Sequence, residues 1–229
     1  MSLFVIGDTH LSLSTDKPMD IFGGWKNYMQ RLEENWCSVV QPQDTVIIPG
    51  DVSWGMSLEQ AKEDFLFLHR LPGKKILMKG NHDYWWTTRA KMESFLEENG
   101  LDSLSILHNN AVSVEGLSLC GSRGWMFEQG QEHDKKIINR EAGRIRASLQ
   151  DAQRFGEQEK VLFLHYPPVF MQDSIPEFFE VMNQYGVRRC YYGLILSQGC
   201  RFAFQGEWCG VQLEMVSADY LRFMPKKIG

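Results

Sequence analysis

Several features that would each have fixed a class of protein are missing from this sequence. No apolar run approaches the roughly 18 residues that cross a bilayer, and the start, MSLFVIGDTH, has no basic stretch leading into a long apolar one. A membrane partner is therefore not expected, and a soluble, cytoplasmic protein is. The five cysteines, Cys37, Cys120, Cys190, Cys200 and Cys209, are odd in number and scattered, with no CxxC pair. That fits reduced, buried thiols better than a disulfide framework or a structural zinc site. Positive charge is in deficit: 24 lysines and arginines face 29 acidic residues, for a net charge of −5 and a pI near 5.7. Proteins that track nucleic-acid phosphates carry a basic face, so nucleic acid is not an expected partner. Linker-like and low-complexity stretches are also absent, and residues 1–229 read as one domain.

What is present is enough apolar material for a sizeable core, at 43% hydrophobic and 12% aromatic residues. The first half repeats a unit. Leu3 to Ile6 ends at Gly7-Asp8, Thr45 to Ile48 ends at Pro49-Gly50-Asp51, and Lys75 to Met78 ends at Gly80-Asn81-His82-Asp83. Each is a short, continuously apolar run closed by turn residues, as expected of a strand covered on both faces. Between them, Trp25 to Val39 and Leu58 to Leu68 place apolar residues at helical spacing, Tyr28, Leu32 and Trp36 in the first and Ala61, Phe65 and Leu68 in the second. This is βαβ order, with parallel strands and ligands gathering beyond their carboxyl ends.

A further helix is expected over Arg89 to Asn99. Short β runs follow at Ser105 to Leu107, Ala111 to Val114 and Leu117 to Cys120. The polar segment from Asp134 to Phe155 carries one stripe, Ile138, Ala142, Ile145, Leu149 and Ala152, for a surface helix. Its basic residues Lys135, Lys136, Arg140, Arg144 and Arg146, with Glu141, read as the exposed face. Val161 to Leu164 then runs into His165-Tyr166-Pro167-Pro168, and the tail from Val187 is β-rich.

The strand ends thus present Asp8, His10, Asp51, Asn81, His82, Asp83 and His165. Oxygen and imidazole donors without thiolate suit a divalent cation such as Mn, Fe or Zn in a hydrolytic site. Alternate residues leave a strand on one side, so Asp8 and His10 can reach one ion. Asp51 is placed to bridge two ions, and Asn81 with His165 to complete the second; such a pair activates water and stabilises both oxygens of a phosphoryl transfer. Taken singly, each is an ordinary turn or cap residue. Together they stand at the ends of four separate apolar runs, which turn preference alone does not produce.

GDTH at 7–10, GDVSW at 50–54, GNHDYWW at 80–86 and LHYPP at 164–168 resemble, in order and separation, the calcineurin-like metallophosphoesterase superfamily, and VSADYLRFMP near the end resembles a bacterial branch of it. The resemblance implies an α/β fold, a four-layer α/β/β/α sandwich with two central mixed β-sheets, around two divalent metal ions. Asp8 and His10 would bind the first ion, Asp51 would bridge, and Asn81 and His165 would bind the second. His82 would lie outside the metal shell near the substrate phosphate, as the catalytic imidazole. Asp83 is read as a carboxylate holding the loop through backbone N–H groups. Trp54, Tyr84, Trp85 and Trp86 are read mainly as packing, with one or two lining the cleft. Arg123, in GSRGW, is a candidate contact to substrate phosphate.

In one place the sequence departs from that pattern. The family's late Gly-His-x-His element falls on Gly193-Leu194-Ile195-Leu196 after the strand Arg189 to Tyr192, and His69, His108 and His133 lie elsewhere. By the resemblance, each ion loses one imidazole and keeps three protein ligands. The leading expectation is a metal-dependent phosphoesterase that hydrolyses a phosphomonoester or phosphodiester by attack of a metal-activated hydroxide, weakened by that loss. The alternative is a non-catalytic binding or regulatory protein on a degenerate form of the fold. A nuclease is disfavoured by the charge.

Overall fold

The structure, a computed structural model, describes residues 1–125, 132–170, 173–194 and 203–229. In chain order its elements are β1 (Leu3–Val5), α1 (Tyr28–Val39), β2 (Thr45–Ile48), α2 (Leu58–Arg70), β3 (Lys74–Leu77), α3 (Arg89–Glu98), β4 (Leu104–Ile106), β5 (Ala111–Val114), β6 (Leu117–Ser122), α4 (Glu132–Asp151), β7 (Glu159–Leu164), β8 (Val169–Phe170), β9 (Asp173–Ser174), α5 (Pro176–Gln184), β10 (Arg189–Tyr192), β11 (Gly206–Trp208), β12 (Val211–Met215) and β13 (Lys226–Lys227). Two large mixed sheets result, in the orders β13-β1-β2-β3-β4 and β11-β12-β10-β7-β6-β5. Strands β1 to β4 are mutually parallel, as are β6, β7, β10 and β12.

The two-residue period of a strand sorts the apolar side chains into three cores. In β1, Leu3 and Val5 face the second sheet, while Phe4 joins the helices; in β7, Val161 and Phe163 face the first sheet, while Leu162 and Leu164 face α4 and α5. The layer between the sheets holds Leu3, Val5, Ile47, Ile76, Leu119, Val161, Phe163, Tyr191 and Val216. Helices α1 to α3 cover the outside of the first sheet, and α4 and α5 that of the second. This is the expected four-layer α/β/β/α sandwich. Truncating a fully buried residue such as Leu32 to alanine would cost about 2–5 kcal/mol, the range for a cavity in a packed core.

Local chemistry sets the boundaries. Helix α1 begins at Tyr28 rather than Trp25, because Asn27 takes a left-handed conformation (φ 53°) that a helix cannot continue through. Trp25 is buried instead, edge-on to Tyr28 and Phe223. The Ser57 and Thr88 hydroxyls accept from Gln60 N–H and Lys91 N–H, capping α2 and α3. Helix α5 has no counterpart in the sequence reading, although Pro176 at its first turn and the buried Phe178, Phe179, Val181 and Met182 mark it. No helix among the described residues is long and apolar enough to cross a membrane.

Candidate metal centre

The carboxyl ends of the parallel strands of both sheets meet along one edge. Gly7, past β1, donates to Val216 O at 2.7 Å and accepts from Ala218 N–H at 2.8 Å, which ties the first sheet to the turn after β12. Leu194, past β10, donates its N–H to both Asp8 oxygens, at 3.1 and 3.0 Å. Past β7, His165 Nε2 lies 3.5 Å from Asp51 Oδ1, beyond β2. Sheet topology thus brings residues up to 186 positions apart in the chain to one point.

Asp8, Asp51 and His165 are all buried, and each offers one ligand atom within 4.8 Å of the others. His10 joins them with Nε2 at 3.6 Å from Asp51 Oδ2, and Asn81 with Oδ1 at 2.6 Å from His165 Nε2. His82 stands at the rim, 30% exposed, with Nδ1 3.9 Å from Asp51 Oδ2 and its ring 4.6 Å from that of Trp54. All five residues expected to hold metal, and His82 beside them, are therefore in one place.

The backbone is bent hard to do this. Asp8, His10, Asp51 and Leu194 have φ of 55°, 44°, 49° and 70°, a region that costs an L-residue roughly 1–2 kcal/mol. Two glycines admit the close approach. A Cβ on Gly80 would overlap Asp51 N and Oδ1, and one on Gly193 would lie 2.6 Å from Asp8 Oδ2. Asp83 secures the turns from beneath. Its Oδ2 accepts from the N–H groups of Asp51 (2.8 Å) and Gly80 (2.7 Å), and its Oδ1 from those of Val52 and Ser53 and from Trp85 Nε1. Five donors on one buried carboxylate leave it no room to be a ligand, so Asp83 is the loop anchor that its position after Asn81-His82 implied.

Electrostatically the cluster is costly as it stands. Burial, reinforced by the Asp51 charge, raises the Asp8 carboxyl well above its ordinary range. Burial also pushes Asp51 and Asp83 up to about 6 and His165 down to about 4; His10 falls to about 3 through burial and the neighbouring imidazoles.

Proton positions sharpen this. His165 Nδ1 is 3.1 Å from the Pro49 carbonyl and Nε2 is 2.6 Å from Asn81 Oδ1, so acceptors face both nitrogens of a ring that, when neutral, carries one proton. Asp51 Oδ1, 3.5 Å from Nε2, is a third acceptor, and one proton cannot serve both sides of the ring. Among the described residues His10 Nε2 is buried with no hydrogen-bond partner. Converging acceptors and an orphaned imidazole nitrogen are what a divalent cation satisfies, and the all-oxygen-and-nitrogen donor set fits Mn, Fe or Zn.

The remaining assignments divide. Trp85 is buried and hydrogen-bonded to Asp83, Tyr84 is exposed, and Trp54 is sandwiched with His10 (ring centroids 5.1 Å apart) and His82. Arg123 follows β6, and its carbonyl accepts from His165 N–H (3.1 Å) and Tyr166 N–H (2.9 Å), so its side chain starts beside the centre. Leu194 holds Asp8 through its main chain, and Leu196 lies outside the described residues.

One expectation is corrected. Lys135, Lys136 and Arg146 are exposed on α4, but Glu141 is fully buried, accepts from Ser122 Oγ (3.2 Å) and pairs with Arg144. Arg140 and Arg144 line a cavity with Arg123 and Lys79. The signal was in the stripe itself: Glu141 sits between Ile138, Ala142 and Ile145, on the face that packs against the sheet.

The model of the calcineurin-like phosphoesterase family matches residues 1–193. Curated proteins yield no match. Among solved structures, "the Protein of Unknown Function AQ665 from Aquifex aeolicus" superposes with a TM-score of 0.55 at 16% identity, covering 99% of this chain and 95% of that one. The protein TT1561 of Thermus thermophilus gives 0.56 at 10% identity, covering 99% and 97%. At such identities the likeness is one of fold.

Proposed function

We propose that this chain, which belongs to the calcineurin-like phosphoesterase family, hydrolyses a phosphate monoester or diester at the Asp8–Asp51–His165 edge with two divalent cations. The observation that carries the reading is the set of acceptors around His165 Nε2. A neutral ring has one proton for acceptors at both nitrogens, the Pro49 carbonyl on one side and the Asn81 and Asp51 oxygens on the other.

Asp8 and His10 would hold one cation and Asn81 and His165 the other, with Asp51 between them. Bound there, the cations supply Lewis acidity toward a phosphoryl oxygen and lower the pKa of an attacking water. The protein does the rest. Asp83 and the N–H groups of Leu194 and His82 fix the carboxylates, so that they need not reorganise during reaction. His82, held by its contact with Trp54 yet open to solvent, is the group to deliver a proton to the leaving oxygen. Arg123 is the phosphate contact: its guanidinium lies near the Trp125 and Tyr166 rings, and its charge favours the ionised Asp51 and the neutral His165.

The test is turnover of p-nitrophenyl phosphate and bis(p-nitrophenyl) phosphate by EDTA-treated protein before and after adding Mn²⁺. Activity that appears only with the cation supports the reading. No bound metal and no turnover of either ester would sink it.

A further inference from the structure

Beside the metal centre lies a cavity of about 530 Å³, lined among others by Lys79, Trp86, His108, Arg123, Arg140 and Arg144, and of a size typical for small-molecule sites. It adjoins the centre through Lys79, two residues before Asn81, and through Arg123, whose carbonyl receives His165 N–H. In a chain with a net charge of −5, four cationic side chains gather here.

Among the described residues their neutralisation is incomplete. Glu141 is the buried carboxylate at this wall; it accepts from Arg144 and Ser122, and its oxygen lies 3.9 Å from Arg140 Nε. One carboxylate, already bonded to a hydroxyl, cannot saturate two guanidinium groups with five N–H donors each. Lys79 is half-buried and has no hydrogen bond or ion pair among the described residues. Two further donors on the cavity wall, Arg123 Nε and Trp86 Nε1, are buried without acceptors among the described residues. Burial holds the His108 imidazole on this wall below its ordinary pKa, and the charges of Arg144, Lys79 and Arg89 add to the effect. Donors in such excess, two of them buried, call for an acceptor-rich anion.

We infer that this cavity is a second anion site, contiguous with the metal centre, that takes a non-reacting phosphate of a substrate carrying at least two phosphate groups. The substrate half of that statement rests on the phosphoesterase reading; the anion site does not. A phosphate dianion matches the charge better than a single carboxylate, and the guanidinium fork fits its oxygens in pairs. Glu141 acts as a positioning residue, aligning Arg144 and Arg140 from behind.

Inorganic pyrophosphate titrated calorimetrically into the EDTA-treated protein tests the site without its metals. Arg140 is 57% exposed, so Arg140→Glu will fold. It is expected to weaken pyrophosphate about tenfold or more, as loss of a charge-assisted bond does, whereas Arg146→Glu on the solvent side of α4 leaves binding in place. Absence of binding, or equal weakening by the two variants, overturns the anion site. With Mn²⁺ present, adenosine 3′,5′-bisphosphate should show a KM about tenfold below that of adenosine 5′-monophosphate, a preference that Arg140→Glu removes. Equal KM values overturn the substrate assignment. If neither nucleotide nor p-nitrophenyl phosphate is hydrolysed, the phosphoesterase reading falls, while the calorimetry still decides the anion site.

Discussion

From the first sheet come Asp8, His10, Asp51, Asn81 and His82, on turns pinned by Asp83 and by one another's main chains. From the second come His165 and the backbone of Leu194, with Arg123 and the basic wall of α4 behind them. One sheet supplies nearly all the candidate ligands, while the other supplies one imidazole and most of the positive charge. The fold uses equivalent positions, the carboxyl ends of parallel strands, for two different tasks. On the proposed reading the first half holds cations and the second holds anions.

The most damaging way to break this division is to remove the residue on which both halves converge. Asp51→Asn should lower metal-dependent kcat/KM by more than about a hundredfold, since even an indirect partner of a metal costs roughly 10- to 100-fold. Steady-state turnover with Mn²⁺, alongside metal content, measures it.

Next come the glycines at the two junctions. In Gly80→Ala the new Cβ overlaps Asp51 main chain as well as its carboxylate, so the loop must move; the expected loss is about 3 kcal/mol in urea denaturation. In Gly193→Ala the Cβ meets only the Asp8 carboxylate, and about 1 kcal/mol is expected. Equal losses would mean that the first half is no more tightly built than the second.

The ligand-poor half can also be enriched. Leu194→His with Leu196→His should raise Mn²⁺ affinity about tenfold or more by calorimetry. Histidine tolerates the left-handed φ of position 194 better than leucine does. Unchanged affinity would show that the second sheet is not short of ligands.

The smallest effect is one of pH. In the metal-free protein Asp51 and Asp83 have pKa values raised to about 6 from the ordinary 3.8. Their contribution to stability is fully present below about pH 4 and is lost as pH rises through about 6. His10 and His165, depressed to about 3 and 4, contribute stability above about 6.5 that is lost on acidification. A cation requires charged carboxylates and neutral imidazoles, so the rise in Tm on adding Mn²⁺ should be larger at pH 7.5 than at pH 5.5. A rise that is the same at both values would separate the cation from these groups.

What the sequence disclosed follows the same line. The first half was legible because each strand there is short, continuously apolar and closed by a Gly-Asp or Gly-Asn turn, so strand, turn and candidate ligand fall within a few residues of one another. Asp83 is expected as an anchor because a short carboxylate in such a turn bonds backbone N–H groups. The anion wall was not legible, because its parts come from distant segments: Lys79 after β3, Arg123 after β6, and Arg140 and Arg144 on α4. On a helix of mixed charge, an arginine that faces a cavity and one that faces water have the same local pattern. Only the burial of Glu141 tells them apart, and its place in the apolar stripe was the one local sign of it.

The most direct test of the metal centre is anomalous scattering from crystals grown with Mn²⁺. The account predicts two peaks at the cluster, sharing Asp51, one beside Asp8 and His10 and the other beside Asn81 and His165. Manganese bound elsewhere in the crystal, with no peak among Asp8, Asp51 and His165, would contradict it.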